Sequence, residues 1–297
     1  MLEIISIGNI NIDLSFFIDK LPDLDGEESG ELEIFHGGSA ANFAVGASRL
    51  GIKTGILGCV GDDGFGREAL EELRKEGVVT KFVRVLKGRR TGMVCVLVDR
   101  NGGRRMVAHR GANVEIGSIL DHLPQAKLFQ LCNVSRDVLI KFKKLACGKA
   151  KTALDPGGNA AHLSPKDLDG IDVLVLNELE CRLLTGSDYK EGAKMLSEYV
   201  NLVVVKRGER GAYAFDGIEK IFQRAFSVRA VDTTGAGDAF DAGFMAAFIK
   251  GMDVKTCLLW GVATASLKIQ KRGARTGLPT IHELMDFLSK YPATTNP

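Results

Sequence analysis

The chain has 297 residues, 45% of them hydrophobic and 26% charged, with a formal net charge of +2. That length holds a large core, as one α/β domain or two smaller ones, and the composition is that of a soluble globular protein. The near-neutral balance gives no global case for nucleic-acid or membrane binding.

From the start, "MLEIISIGNINID" turns polar too early for a secretory leader, and no apolar run reaches the ~18–20 residues that span a bilayer. "EIISIG" (3–8) reads as a buried strand, and 12–36 follows as an extended stretch without helical spacing. A helix is predicted over 39–50, a strand over 54–61 and a helix over 66–77. A second extended stretch, 89–109, carries a hairpin signal at "DRNGG". Strands at 126–132 and 151–155 enclose a helix at 135–146; strands at 172–177 and 201–208 enclose another at 189–200. Three helices close the chain, at about 237–250, 254–271 and 280–289. Such alternation predicts a mostly parallel sheet with helices on both faces. The two off-rhythm stretches suit a small second sheet, either covering a site at the strand ends or forming plain edge strands. The six cysteines (Cys59, Cys95, Cys132, Cys147, Cys181 and Cys257) are scattered without a C-x-x-C pair. Reduced, buried thiols and a cytosolic location are expected.

Chemistry concentrates in "VDTTGAGDAFDAG" (231–243), which follows the β-like run "FSVRAV" and opens a helix. Amides of Gly235, Ala236 and Gly237 at a helix N-terminus can face one anion. Asp238 would repel a resting phosphate there, but suits a base that takes a proton from an attacking hydroxyl. Helix capping by Thr234 or Asp238 explains the same residues equally well. In "HGGSAANFAVGASRLG", Gly37 and Gly38 permit close approach and Asn42 could bind a polyol; a tight turn is the plain alternative. In "NELE", Asn177 and Glu180 share a helical face and could hold magnesium through waters, or cap the helix. "KRGERG", with Lys206, Gly208 and Gly211, could lie along a nucleotide or form a hairpin turn. The Gly64-x-Gly66-x-x-Ala69 pattern is a weak dinucleotide fingerprint with no acid following at the required distance, and no P-loop is present.

Taken in order, "GNINID", "GGSAAN", "GCVGDDGFG", "RGAN", "NELE", "KRGERG", "DTTGAGDAFDAGF" and "KRGARTGLP" resemble the ribokinase-like (pfkB) carbohydrate kinase family over nearly the whole chain. The resemblance implies a three-layer α/β/α sandwich spanning 1–297, with lid segments about 12–36 and 89–109 forming a small β-sheet. It implies phosphoryl transfer from ATP, or ADP, to a substrate hydroxyl. Asp238 would be the base and the 235–238 backbone the anion hole. Asp13, Gly37, Gly38 and Asn42 would meet the acceptor; Asn177 and Glu180 would organise Mg2+. Lys206, Gly208, Gly211, Val262, Ala263 and Gly273 would flank the nucleotide. Asp232 and Thr234 correspond to a K+ site that some members have. Asp241 is expected as an exposed first-turn acid.

Departures from ribokinase itself bear on the acceptor. Ser39 replaces its usual lysine, Cys132 replaces an acid, and Arg110 stands where a small residue is common. Residues 84–110 carry eight basic side chains against Asp99 alone, an excess of +7. Arg110 therefore points to a phosphorylated sugar or sugar acid, with a solvated charged face as the competing account of the other cations. Neutral sugars and nucleosides stay open, as do a non-catalytic sugar-binding relative and a dinucleotide-dependent enzyme. Homodimerisation through the lid is a further expectation.

Overall fold

In the computed structural model, which describes residues 1–100, 103–146, 148 and 150–291, alternate side chains of the apolar runs enter two different cores. The chain runs β1 (Leu2–Gly8), β2 (Asn11–Ile18), β3 (Gly30–Gly37), α1 (Ser39–Arg49), β4 (Thr54–Gly61), α2 (Gly64–Lys75), β5 (Val79–Leu86), β6 (Gly92–Asp99) and β7 (Arg104–His109). It continues through β8 (Ala126–Cys132), α3 (Arg136–Ala146), β9 (Lys151–Asp155), β10 (Ile171–Asn177), α4 (Glu178–Thr185), α5 (Tyr189–Leu196) and β11 (Val200–Lys206). Then come β12 (Ala212–Phe215), β13 (Lys220–Gln223), α6 (Ala236–Ile249), α7 (Val254–Lys268) and α8 (Ile281–Lys290).

Nine strands form one sheet in the order β13-β12-β11-β10-β9-β8-β1-β4-β5. β11–β12 and β12–β13 pair antiparallel at one edge and the remaining neighbours pair parallel. Ile4, Leu128, Val173 and Val204 face a core shared with Phe43 of α1, Phe244 of α6 and Trp260 of α7. Ile5, Phe129, Leu174 and Val203 face the opposite core, with Leu139 and Phe142 of α3 and Leu196 of α5. Each such buried side chain contributes roughly 1.5–3 kcal/mol. The result is the expected three layers, and it explains why these strands read as unbroken apolar runs.

β3, β2, β6 and β7 form the separate small sheet. The Asp99 amide donates to the Gly103 carbonyl at 3.0 Å across the β6–β7 turn; Asn101 and Gly102 at the "DRNGG" tip lie outside the described residues, as does Cys147. Two expectations change. "FSVRAV" forms no strand among the described residues. Arg84 belongs to β5, an edge of the large sheet, so part of the counted basic charge is not in the lid. Among the described residues, no helix is long and apolar enough to cross a membrane.

Candidate active site

Strand register builds the site's floor. Gly8 pairs with Cys132, Cys132 with Asp155, and Asn177 with Lys206, so the carboxyl ends of β1, β8, β9, β10 and β11 stand in one row. Loops leaving that edge are where an open α/β sheet presents ligand groups. Two large cavities open over it. The first, about 1000 Å³, lies under the small sheet and is lined by Asp13, Gly38, Asn42 and Gly273. The second, about 1050 Å³, is lined by Asp155, Asn177, Glu180, Lys206, Gly208, Gly211 and Val262. Four residues line both: Ser39, Asn133, Gly235 and Asp238.

Asp238 sits in the first turn of α6, whose N-cap is Gly235 at φ 73°. That left-handed conformation favours glycine, and a Cβ there would also press on Ala274 at 3.0 Å. The Ala236 amide is already taken by the Thr233 carbonyl at 3.1 Å. Ala236 itself lines the second cavity. The Gly237 and Asp238 amides belong to the first turn, where no intrahelical acceptor exists. Asn42 Nδ2 donates to Asp238 Oδ2 at 2.8 Å. Burial pushes the Asp238 carboxyl up to about 6, against the hydrogen bond from Asn42. It is thus a carboxylate at neutral pH with raised proton affinity, which is what a general base requires.

Asp13, on β2, faces the first cavity, and burial pushes its carboxyl up to about 6 as well. Its buried Oδ1 has no hydrogen-bond partner in the protein, so a ligand hydroxyl would complete it. Gly37 lies behind it rather than in the lining: a Cβ there would come within 2.1 Å of Asp13 Oδ2. Arg275, which the sequence reading passed over, ties this side together. Its Nε donates to Asn42 Oδ1 at 2.9 Å and its Nη2 to the Gly37 carbonyl at 2.7 Å. Burial lowers its guanidinium to about 10.

On the second side, Lys206 Nζ pairs with Asp155 at 2.7 Å and with Asp241 at 3.1 Å. Asp241 is only 1% exposed, which overturns its expected place on the surface. Its position follows from the helix: three residues beyond Asp238, it points inward with Ala242 and Met245 rather than toward solvent. Burial raises Asp241 well above its ordinary value; at Asp155 burial is again the largest influence, but the Lys206 charge and the hydrogen bonds from Asp241, Lys206 and the Gly157 amide together outweigh it and hold the carboxyl low. Asn177 and Glu180 form a reciprocal capping box at α4. Glu180 accepts from the Asn177 amide at 2.8 Å and from its Nδ2 at 2.7 Å. The capping account therefore holds, and both side chains also line the second cavity. With both Glu180 oxygens occupied, the pair suits Mg2+ through bound waters better than direct ligation. "KRGERG" is the β11–β12 hairpin turn, the Arg207 amide donating to the Gly211 carbonyl at 2.8 Å, and it lines the cavity too.

Other expected site residues fall elsewhere. Gly273 lines the first cavity, because its amide is drawn to Asp232 Oδ2 at 2.8 Å. Ala263 is fully buried and not in the lining; Ala265 and Ser266 stand beside Val262 instead. Arg110 is exposed and outside both linings; the chain turns inward only after it, with Gly111 packed against the Arg90 carbonyl and Ala112 buried. Arg84, Lys87, Arg89, Arg90 and Arg105 are also exposed; Arg100, exposed too, lines the first cavity. The Asp63 carboxylate caps α2 and holds the Thr91 amide at 2.9 Å, so the weak Gly64 fingerprint is a helix entry. Asp232 Oδ1 accepts from Thr234 N and Oγ1 at 2.9 and 2.7 Å, and the Asp232 carbonyl accepts from Lys268 Nζ at 2.8 Å. The Lys268 ammonium thus lies beside the turn in which a K+ ion was expected.

Asp155 and Asn133 were also missed. Their signal was available: each is a polar residue at the carboxyl end of an apolar run.

The sequence profile of the pfkB family carbohydrate kinases matches residues 1–281. An uncharacterized sugar kinase of Archaeoglobus fulgidus is 34% identical, over 79% of this chain and 98% of the relative. An ATP-dependent ribose-1-phosphate kinase of Halopiger xanaduensis is 32% identical, over 98% and 99%. Among solved structures, the nucleoside kinase of Methanocaldococcus jannaschii superposes with a TM-score of 0.89 at 25% identity, covering 98% of this chain and 99% of that one. The ribokinase of Thermotoga maritima gives 0.90 at 26%, covering 97% and 100%.

Proposed function

We propose, for a chain that belongs to the pfkB family of carbohydrate kinases, transfer of a phosphoryl group from ATP to a sugar hydroxyl, with Asp238 as the base. The observation that carries the reading is the position of Asp238 in the lining of both cavities. A hydroxyl held in the first and a terminal phosphate held in the second meet at its carboxylate. In-line transfer asks for little more than that alignment and neutralised charge. Asp238 takes the proton as the hydroxyl attacks, Asn42 holds the carboxylate in place, and Arg275 holds Asn42. The Gly237 and Asp238 amides and Lys206 offset the negative charge on the moving group. Asn177 and Glu180 would hold Mg2+ through waters; when bound, it neutralises phosphate oxygens.

Asp13, with its orphaned oxygen, favours an acceptor rich in hydroxyls. A second reading, a sugar phosphate, draws on Arg100 and Arg272 in the same lining and on the ribose-1-phosphate kinase relative. Arg272 is partly neutralised by Glu33 at 2.6 Å, which leaves Arg100 as the discriminating residue. Exposed Leu32 and Ile34 on β3, with Val107 on β7, support pairing of the small sheet with a second copy; sedimentation would test it.

The test is a phosphorylation screen of pentoses, hexoses, their 1-phosphates, sugar acids and nucleosides, with ATP and with ADP plus Mg2+. Phosphorylated product from ATP and a free or 1-phosphorylated sugar supports the proposal. ATP cleavage to inorganic phosphate alone, with every acceptor untouched, would refute it.

A further inference from the structure

We infer that Lys268 supplies, as a built-in ammonium, the positive charge that a bound monovalent cation would otherwise place behind the loop leading to Asp238, so that this protein works without one. The inference rests on reading 232–238 as the phosphoryl-transfer loop.

Lys268 is the last residue of α7 and is 0% exposed. Lysines are almost never fully buried without partners, because the ammonium loses its hydration. Here the partner is specific: Nζ donates to the main-chain carbonyl of Asp232 at 2.8 Å. The same turn is fastened a second way, the Val231 and Asp232 amides both donating to the Ile269 carbonyl at 2.7 and 3.0 Å. The end of α7 therefore grips residues 231–232 through one donor and one acceptor. The Asp232 carboxylate accepts from Thr234 and from the Gly273 amide, and, against burial, the Lys268 charge helps hold it low.

Oxygen atoms in this turn have the chemistry of an alkali-cation nest, namely a backbone carbonyl beside a carboxylate. A K+ ion and an ammonium are both single positive charges that such oxygens accept, but the ammonium arrives tethered. Its position at a helix C-terminus adds a favourable interaction with the outward carbonyls of α7. Gly277 folds closely over the Lys268 main chain, where a Cβ would lie 2.3 Å from the Lys268 carbonyl oxygen. Held this way, Asp232 fixes Thr234 and Gly273, and Thr234 precedes the Gly235 N-cap of α6. Lys268 is a positioning residue; it does not reach the reacting atoms.

The experiment compares wild type, Lys268→Ala and Lys268→Arg in chlorides of potassium, sodium and choline at equal ionic strength, reading melting temperature and initial rate. For wild type, the expected result is one melting temperature in all three salts and rates within about twofold. Lys268→Ala should melt lower and recover selectively in potassium, with a rate that now rises at least about tenfold from choline to potassium. Lys268→Arg should keep the salt independence of wild type. Selective stabilisation or activation of wild type by potassium overturns the inference, as does a folded Lys268→Ala protein indifferent to potassium. Should Lys268→Ala not fold, the wild-type comparison decides alone. Melting temperature needs no substrate, so the inference and the kinase reading fail separately.

Discussion

The two cavities that meet at Asp238 are built differently. The second is floored by consecutive strand ends of one sheet, where the β10–β11 register sets Asn177 beside Lys206 and Asp155 ends the neighbouring β9. The first needs two sheets and the loop at 272–274 to converge on Asp13. Register is a local, periodic property, so the second side is rigid by construction. The first is held by single side chains such as Arg275, which reaches Asn42 across 233 positions of sequence. One side is scaffold and the other is assembled by bonds that individual substitutions can remove.

The largest expected effect lies where the sides join. Asp238→Asn should lower kcat by about 10³-fold or more while both ligands still bind. Because its folded-state value of about 6 exceeds the ordinary 3.8, the folded protein binds the extra proton and loses stability as pH rises through that window. Asn removes the buried charge, so the variant should also be more stable at neutral pH, by on the order of 1 kcal/mol. A variant with near-normal kcat would dissolve the comparison, since the junction would then carry no chemistry.

On the scaffold side, Lys206→Met leaves two acids buried without their cation, at a cost of about 3 kcal/mol. Denaturant unfolding should show part of this recovered when Asp155→Asn is added, which identifies the ion pair rather than lost packing as the cause. On the assembled side, Asp13→Asn should raise KM for the sugar by about 10–100-fold and spare kcat more. If KM instead stayed put and kcat fell, Asp13 would belong with the base. The smallest effect is at Arg110→Ala, expected to leave KM within about twofold because the side chain is exposed. A large rise there would mean that the lid closes far enough to bring Arg110 onto the acceptor.

The same contrast sets what the sequence could reveal. Apolar runs such as "EIISIG" and "DVLVLN" encode the sheet directly, and the three-residue spacing of Asn177 and Glu180 carried their capping box. "DTTGAGD" announced a helix entrance, although the bond from the Ala236 amide to Thr233 required coordinates. Arg275 and Lys268 gave no local signal, because what makes each meaningful is a backbone carbonyl or amide far along the chain. Arg110 and Asp241 misled for a related reason: neighbours in sequence say little about which way a side chain faces once loops and helices pack.

The central claim is that one buried carboxylate at the meeting point of two cavities accepts the proton during transfer. The pH dependence of kcat at saturating sugar and ATP tests it most directly, since kcat reports groups that titrate in the bound complex. The account predicts a plateau at neutral pH and a fall of about tenfold per unit on the acid side, where Asp238, already raised to about 6 in the ligand-free protein, becomes protonated. A kcat that stays level from neutral pH to well below that value, in a protein that remains folded, would contradict it.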